Sequence, residues 1–289
     1  SKAKILLSMS SLQAHLGQIT TACQQMEQAI SILRNLEQRE LLCIVLSNLA
    51  EVLLWSGEWK KAHTIAMEGL TLSQDTFYQV GQGQARLVLA QIAFDQGLYS
   101  KATQHARRAR QIATEIDSPA LGAMAVFILA QVQLGLDNPT GALPLLKVAR
   151  TTLQENDPEQ YQMSVHLAMA LAFFQNGQTK TAQTILRSIS KFLDKAPAIR
   201  RIENQYWLAR CLQLAGQSDE AMESINTGLD LAEKSEVQGW TVKLTSLRRH
   251  ISTAPTHEEE WLALWHNITQ GWSKEEKTLM VDHLHFIHD

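Results

Sequence analysis

The sequence predicts an all-α protein built as a solenoid of stacked helical hairpins. A short Gly-centred phrase recurs along it: LGQITTA (16–22), SGEWKKA (56–62), QGLYSKA (96–102), NGQTKTA (176–182) and AGQSDEA (215–221), with a weaker copy, LDNPTGA, at 136–142. The closing alanines Ala22, Ala62, Ala102, Ala142, Ala182 and Ala221 are spaced by 40, 40, 40, 40 and 39 residues. Between the phrases, apolar residues recur at helical spacing rather than in the alternation of strands. Six copies at one period mark a repeat architecture, because a chance phrase does not hold register over the whole chain.

The unit 39–78 shows how each element follows. Leu42, Ile44, Val45, Leu46, Leu49, Val52, Leu53 and Leu54 form one broad apolar stripe, so ELLCIVLSNLAEVLLWS (40–56) reads as a first helix. Gly57 interrupts it; glycine weakens a helix interior but suits a turn that needs positive φ. Trp59, Ala62, Ile65, Ala66 and Leu70 then make the stripe of a second helix. Neither helix can bury its stripe alone, so neighbouring units must stack.

Small residues hold three fixed places in the period. The closing alanines are one ladder. Ser10, Ala50, Ala90, Ala130, Ala170 and Ala209 are a second, in the first helices. Ala29, Gly69, Ala109, Ala149 and Gly228 are a third, broken in the fifth copy, where Ile189 takes the place. Small side chains allow helix axes to approach closely, so the ladders predict a nearly constant crossing geometry. The weak fourth copy, with Asp137 where the others have Gly, is the expected place for a local change of superhelical pitch.

These residues resemble a tetratricopeptide repeat: a small residue in the first helix, Gly, an aromatic two residues on, then Ala, and a small residue seven later. Gly57, Trp59, Ala62 and Gly69 occupy those places, as do Gly97, Tyr99, Ala102 and Ala109. The resemblance implies a right-handed α-α superhelix whose first helices line a concave, ligand-binding face. It covers six units, about 1–38, 39–78, 79–118, 119–158, 159–196 and 197–235. The period departs from the usual 34 residues of that family, and the Pro that commonly ends its second helix is mostly missing; only Pro119 and Pro158 fall near it. Long-period units of this kind are similar to the sensor regions of MalT-type bacterial regulators. That similarity implies an attached ATPase or DNA-binding domain in the full-length chain. The opening residue is Ser1 rather than Met, and the sequence reads as part of a longer protein.

Residues 236–289 differ. No Gly-x-aromatic phrase follows 236–252, and Thr256 with Glu259, then Ser273 with Glu276, offer two capping boxes. Four of the seven tryptophans fall here, Trp240, Trp261, Trp265 and Trp272, with Trp261 and Trp265 on one helix face. This segment reads as helices that either cap the solenoid or dock a further domain.

Chemistry is scarce. Neither a GxxxxGKS phosphate loop nor a GxSxG nucleophile elbow occurs in the sequence. Gly81 and Gly83 in VGQGQA open a first helix with no strand before them. Asp282, His285 and His288 share a helix face and could hold a divalent ion, yet nothing else supplies a ligand, so the expectation is no metal, no cofactor and no enzyme. Three cysteines, Cys23, Cys43 and Cys211, suit a reducing compartment, and no apolar run approaches a membrane span. Net charge is −3, and the basic clusters Lys101/Arg107/Arg108/Arg110, Arg200/Arg201 and Arg248/Arg249 read as solvated helix faces, which makes nucleic acid an unlikely partner.

Carried over by register, the family's concave positions fall on Glu51, Leu87, Gln91, Phe94, Phe127, Gln131, Phe174, Tyr206 and Arg210. Leu167 and Leu171 share those positions, although they could equally pack between helices. The groove is mainly apolar, with amide donors and acceptors and flanking charges of opposite sign. It lacks the Lys, Arg and Asn clamp with which some members hold carboxylate tails. A protein or peptide segment is the expected occupant, within a cytoplasmic signalling or transcription-regulatory protein. A small-molecule or peptide sensor is the alternative.

Overall fold

The computed structural model describes residues 2–156, 162–190, 198–252 and 254–286. The chain runs through α1 (Lys2–His15), α2 (Ile19–Asn35), α3 (Arg39–Trp55), α4 (Trp59–Asp75), α5 (Gln79–Asp95), α6 (Tyr99–Glu115), α7 (Pro119–Gly135), α8 (Pro139–Asn156), α9 (Gln162–Gln175), α10 (Thr179–Ser190), α11 (Ala198–Leu214), α12 (Ser218–Lys234), α13 (Gln238–Ile251), α14 (Pro255–Ile268) and α15 (Lys274–Phe286). Each helix packs antiparallel on the next, and the pairs wind into an all-α superhelix.

The period of 40 is two periods of 20. From α2 to α8 the helices start at 19, 39, 59, 79, 99, 119 and 139, and each of α2 to α7 is 17 residues long. Every such helix ends in the same left-handed cap. After α3, Gly57 (φ 84°) donates its N–H to the Leu54 carbonyl at 3.2 Å, and Glu58 donates to Leu53 at 2.9 Å. That pair of bonds satisfies carbonyls the helix would otherwise leave open. The turns between units repeat it without glycine: Glu37, Phe77, Asp117 and Glu236 all have φ between 51° and 54°. Asp137 does so in the fourth copy, with φ 51° and the same bonds to Leu134 and Gln133. The expected change at this copy is therefore not in the turn, because Asp tolerates the left-handed region that Gly usually fills.

The three ladders are the seams of the stack. Ala22, Ala62, Ala102, Ala142, Ala182 and Ala221 are fully buried, and so are Ser10, Ala50, Ala90, Ala130, Ala170 and Ala209. A Cβ on Gly69 would lie 3.3 Å from the Leu46 Cβ, and one on Gly228 would lie 3.1 Å from Gln205 Cβ and Leu244. Ile189 is also buried, so the fifth copy accommodates a larger side chain at this seam. Gly81 and Gly83 are packing residues: a Cβ would meet Tyr78 at 2.7 Å and Leu121 at 2.5 Å.

After six pairs the superhelix meets itself. α13 crosses back onto α3, and Gly239 sits so close that a Cβ would stand 2.8 Å from the Leu54 carbonyl oxygen and 2.9 Å from that of Trp55. Lys243 of α13 pairs with Asp95 of α5 at 2.8 Å. Trp272 meets the edge of Trp59, which is buried in α4, with ring centroids 5.7 Å apart, and Lys60 donates to the Gly271 carbonyl at 2.6 Å. Trp261 and Trp265 stack at 5.4 Å, and Arg249 lies 4.0 Å over Trp261. Residues after α12 thus bridge the end of the stack to its second unit.

One of the two expected capping boxes forms: Ser273 and Glu276 exchange bonds of 2.7 and 3.2 Å. The other does not. α14 begins at Pro255 with Ala254 as its N-cap, because Pro at the first helical position presets φ and needs no partner for a missing N–H. Thr256 is then already inside the helix. The cysteines are free, with Cys43 and Cys211 buried.

Three outcomes test this account. Ala90→Leu or Ala130→Leu overpacks a seam and should lose about 1–3 kcal/mol in urea denaturation, whereas Gln28→Leu on an exposed face should change little. Phe77→Gly, which relieves a left-handed phenylalanine exposed at 88%, should gain roughly 0.5–1 kcal/mol in the same assay. Gly239→Ala should separate α13 from α3, seen as stronger acrylamide quenching of Trp272 and Trp59 and a larger radius of gyration by X-ray scattering. An unchanged radius with native quenching would refute the closure.

Candidate functional site

Closure leaves a partly open cavity of about 530 Å³ on the concave side. Its walls come from α3, α5 and α7, its far side from α11, and its roof from α13. The first helices contribute by register. Three places before the small ladder residue stand Ser47, Leu87, Phe127 and Tyr206; one place after stand Glu51, Gln91 and Gln131; four after stand Leu54 and Phe94. All line the cavity, so seven of the nine expected residues come together in one space: Glu51, Leu87, Gln91, Phe94, Phe127, Gln131 and Tyr206.

Phe174 and Arg210 do not line it. No residue of α9 lines the cavity, and Leu167, Leu171 and Phe174 are buried in the hydrophobic core. Arg210 is 2% exposed and donates to Gln213 Oε1 at 3.0 Å on the same helix. It braces α11 from within.

Other lining residues were not expected. Asn48, Val88, Ile128 and Trp207 stand two places before the ladder, and Gln84, Met124 and Glu203 six before it. These two sets are four residues apart on one helical face, so the same periodicity, read one column further, points to them. Trp240 and Lys243 of α13 complete the site. Arg200, read as part of a solvated face, instead lines the cavity and donates to Glu203 Oε2 at 2.7 Å, while Ser164 Oγ donates to the same oxygen at 2.8 Å.

The polar groups divide into satisfied and open. Asp95 accepts from Lys243 at 2.8 Å and from Gln91 Nε2 at 3.0 Å, which ties roof to wall. Lys243 Nζ also lies 4.6 Å over the Trp240 ring. Tyr206 packs edge-on against Trp207 and Trp240, and burial pushes its phenol pKa well up. By contrast, Ser47 Oγ, Gln84 Oε1, Gln131 Oε1 and Trp207 Nε1 are buried with no partner in the protein. The Glu51 carboxyl has its pKa raised, first by burial and then by Glu203, against a lowering pull from Arg200.

The candidate trio Asp282, His285 and His288, from which no metal site was expected, lies outside the residues whose side chains are described. Among the described residues no cluster of His, Cys, Asp or Glu could hold a metal ion, and no helix is long and apolar enough to cross a membrane.

Several solved structures share the fold. A Rap protein complexed with Competence and Sporulation Factor superposes with a TM-score of 0.68 at 14% identity, over 93% of this chain and 76% of the other. The Rap conjugation gene regulator of the plasmid pLS20, in complex with a Phr peptide, gives 0.64 at 12% identity over 86% and 74%. Aspartyl phosphate phosphatase F from Bacillus subtilis gives 0.61 at 13% identity over 95% and 71%. No curated protein matches the sequence at a significant level. The family model described as the MalT-like TPR region matches residues 3–237, well over half the chain, and the chain belongs to that family.

Proposed function

We propose that this is a regulatory interaction module of a larger cytoplasmic protein, which receives a short partner segment in the cavity on its concave face. As a tetratricopeptide-like repeat it binds and does not catalyse. The observation that carries the reading is the partly open cavity itself: about 530 Å³, walled by Phe94, Phe127 and Tyr206, with unpartnered Ser47, Gln84, Gln131 and Trp207 atoms. Aromatic walls with a few open hydrogen-bonding groups are what a specific site requires. The peptide complexes of two proteins with this fold support a peptide occupant.

The cavity size also supports a second reading, a small-molecule sensor, since about 300–1,000 Å³ is the usual range for such sites. In either case the module would report occupancy to an attached ATPase or DNA-binding domain. Nucleic acid is disfavoured by pairing: Arg108 with Glu115, Arg200 with Glu203, Arg248 with Glu260 and Arg249 with Glu258 leave these basic groups answered by acids.

A pooled pentapeptide library and a metabolite panel, screened by thermal shift, separate the two readings. A peptide hit is expected, and a hit among metabolites only would favour the sensor. Phe127→Ala combined with Gln131→Ala should abolish binding of the peptide hit with the helical circular-dichroism signal intact. Unchanged binding would place the site elsewhere than the concave face.

A further inference from the structure

Glu51 is the one charged group of the cavity wall without a hydrogen bond or ion pair among the described residues; Arg200 attracts it but is paired with Glu203. Glu51 lies near the C-terminal end of α3, the end whose dipole favours a cation. Among the described residues it has no hydrogen bond and no ion pair, although its neighbours on the lining are paired: Asp95 with Lys243, Glu203 with Arg200. Three carboxylates and two cations line the space, so one negative charge is left over.

Most of the open atoms around Glu51 can accept; the Trp207 Nε1–H is the exception. Ser47 Oγ, one turn before Glu51 on the same face, is unpartnered. The open atoms of Gln84 and Gln131 are carbonyl oxygens, which accept. Trp55, Trp207 and Trp240 line the same space, and the Trp240 ring already holds a cation, with Lys243 Nζ 4.6 Å over it. A carboxylate in such a place is costly to keep charged unless something pairs with it.

We infer that the cavity recognises a cationic nitrogen group, an ammonium or guanidinium, carried on an apolar body, with Glu51 as its counter-ion. The inference rests on the cavity being the binding site and specifies what it selects. The cation can come from a basic side chain of a peptide or from a free amine. Paired in this way, a half-buried carboxylate becomes a specificity element, since a neutral occupant leaves it unpaired.

The raised pKa of Glu51, set by burial with Arg200 and Glu203 of α11 facing it, fixes the direction of two pH effects. A cation is held by the carboxylate form, so its binding weakens as pH falls through the raised pKa. Without ligand, a raised folded-state pKa means stability that is fully present below the unfolded carboxylate pKa and lost as pH rises through the folded one. Glu51→Gln should therefore raise the melting temperature at pH 7.5, in a way that shrinks to nothing at about pH 4. A variant no more stable than the parent at pH 7.5 would show that the carboxylate is already paired, and would overturn the inference.

The binding test uses pentapeptide pools that fix Arg, Lys, citrulline, Leu or Glu at each position in turn, with agmatine and cadaverine as the free-amine arm. Wild type and Glu51→Gln are compared by thermal shift and calorimetry. Pools with Arg or Lys should bind, citrulline pools should bind at least about tenfold more weakly, and Glu51→Gln should erase that difference. Binding of the amines but not the pools would assign the cation to a small molecule and uphold the inference. Neutral or acidic pools binding as well as cationic ones, or a preference that survives Glu51→Gln, would overturn the inference while sparing the cavity as a peptide site. If no pool and no amine binds, the cavity reading fails and the counter-ion assignment with it.

Discussion

The cap at every twentieth residue is the constraint on which the structure depends. A left-handed residue after 17 helical ones reverses the chain at the same angular position each time. Each helix therefore presents the same face to its predecessor, and the small residues meet at the same height in seam after seam. The constant turns align the ladder, so that Gly69 meets the Leu46 Cβ closely. Constant seams give a constant rotation per unit, and a constant rotation accumulates into a curve that returns to its start. The cavity exists because a local rule, applied six times, bends the chain far enough for α13 to reach α3.

The glycine phrase was legible because a left-handed cap selects glycine, and the unit boundaries followed from it. Its counterpart between units was not, because Glu37, Phe77, Asp117 and Glu236 adopt the same φ with side chains that carry no such signature. The concave face was legible by register wherever a first helix faces open space, as α3, α5 and α7 do. Register assumes that every first helix does so, which fails at α9, whose Phe174 is buried in the core. Trp240 and Lys243 were beyond reach for another reason. Their place in the site depends on summed curvature, and no short stretch of sequence encodes a sum. Arg200 looked solvated because Glu203 and Ser164, which hold it in the cavity wall, become its neighbours only through helix phase and unit stacking.

The site owes its form to polar groups that the fold satisfies and others that it leaves open. The Lys243–Asp95 pair is 14% and 5% exposed, and such pairs contribute little net stability because desolvation offsets attraction. Their value lies in position. Asp95 holds Lys243 from the roof and Gln91 from the wall, so the two surfaces keep one spacing. Around this fixed frame the unpartnered Ser47, Gln84 and Gln131 atoms are set in place before any occupant arrives, which lowers the entropy lost on binding.

Closure also changes what kind of object the chain is. An open solenoid is a row whose ends fray independently, with stability close to a sum over neighbours. Here the contacts of Asp95 with Lys243 and of Lys60 with Gly271 join residues 148 and 211 positions apart, so the row becomes a ring. Such distant contacts form last, after the units have stacked, since loop closure must precede them. They are also the natural place for the first sub-global opening. The cavity is whole only while the ring is shut. An occupant of the cavity would therefore stabilise the shut form by mass action, and the mobility of α13 through α15 would fall with it.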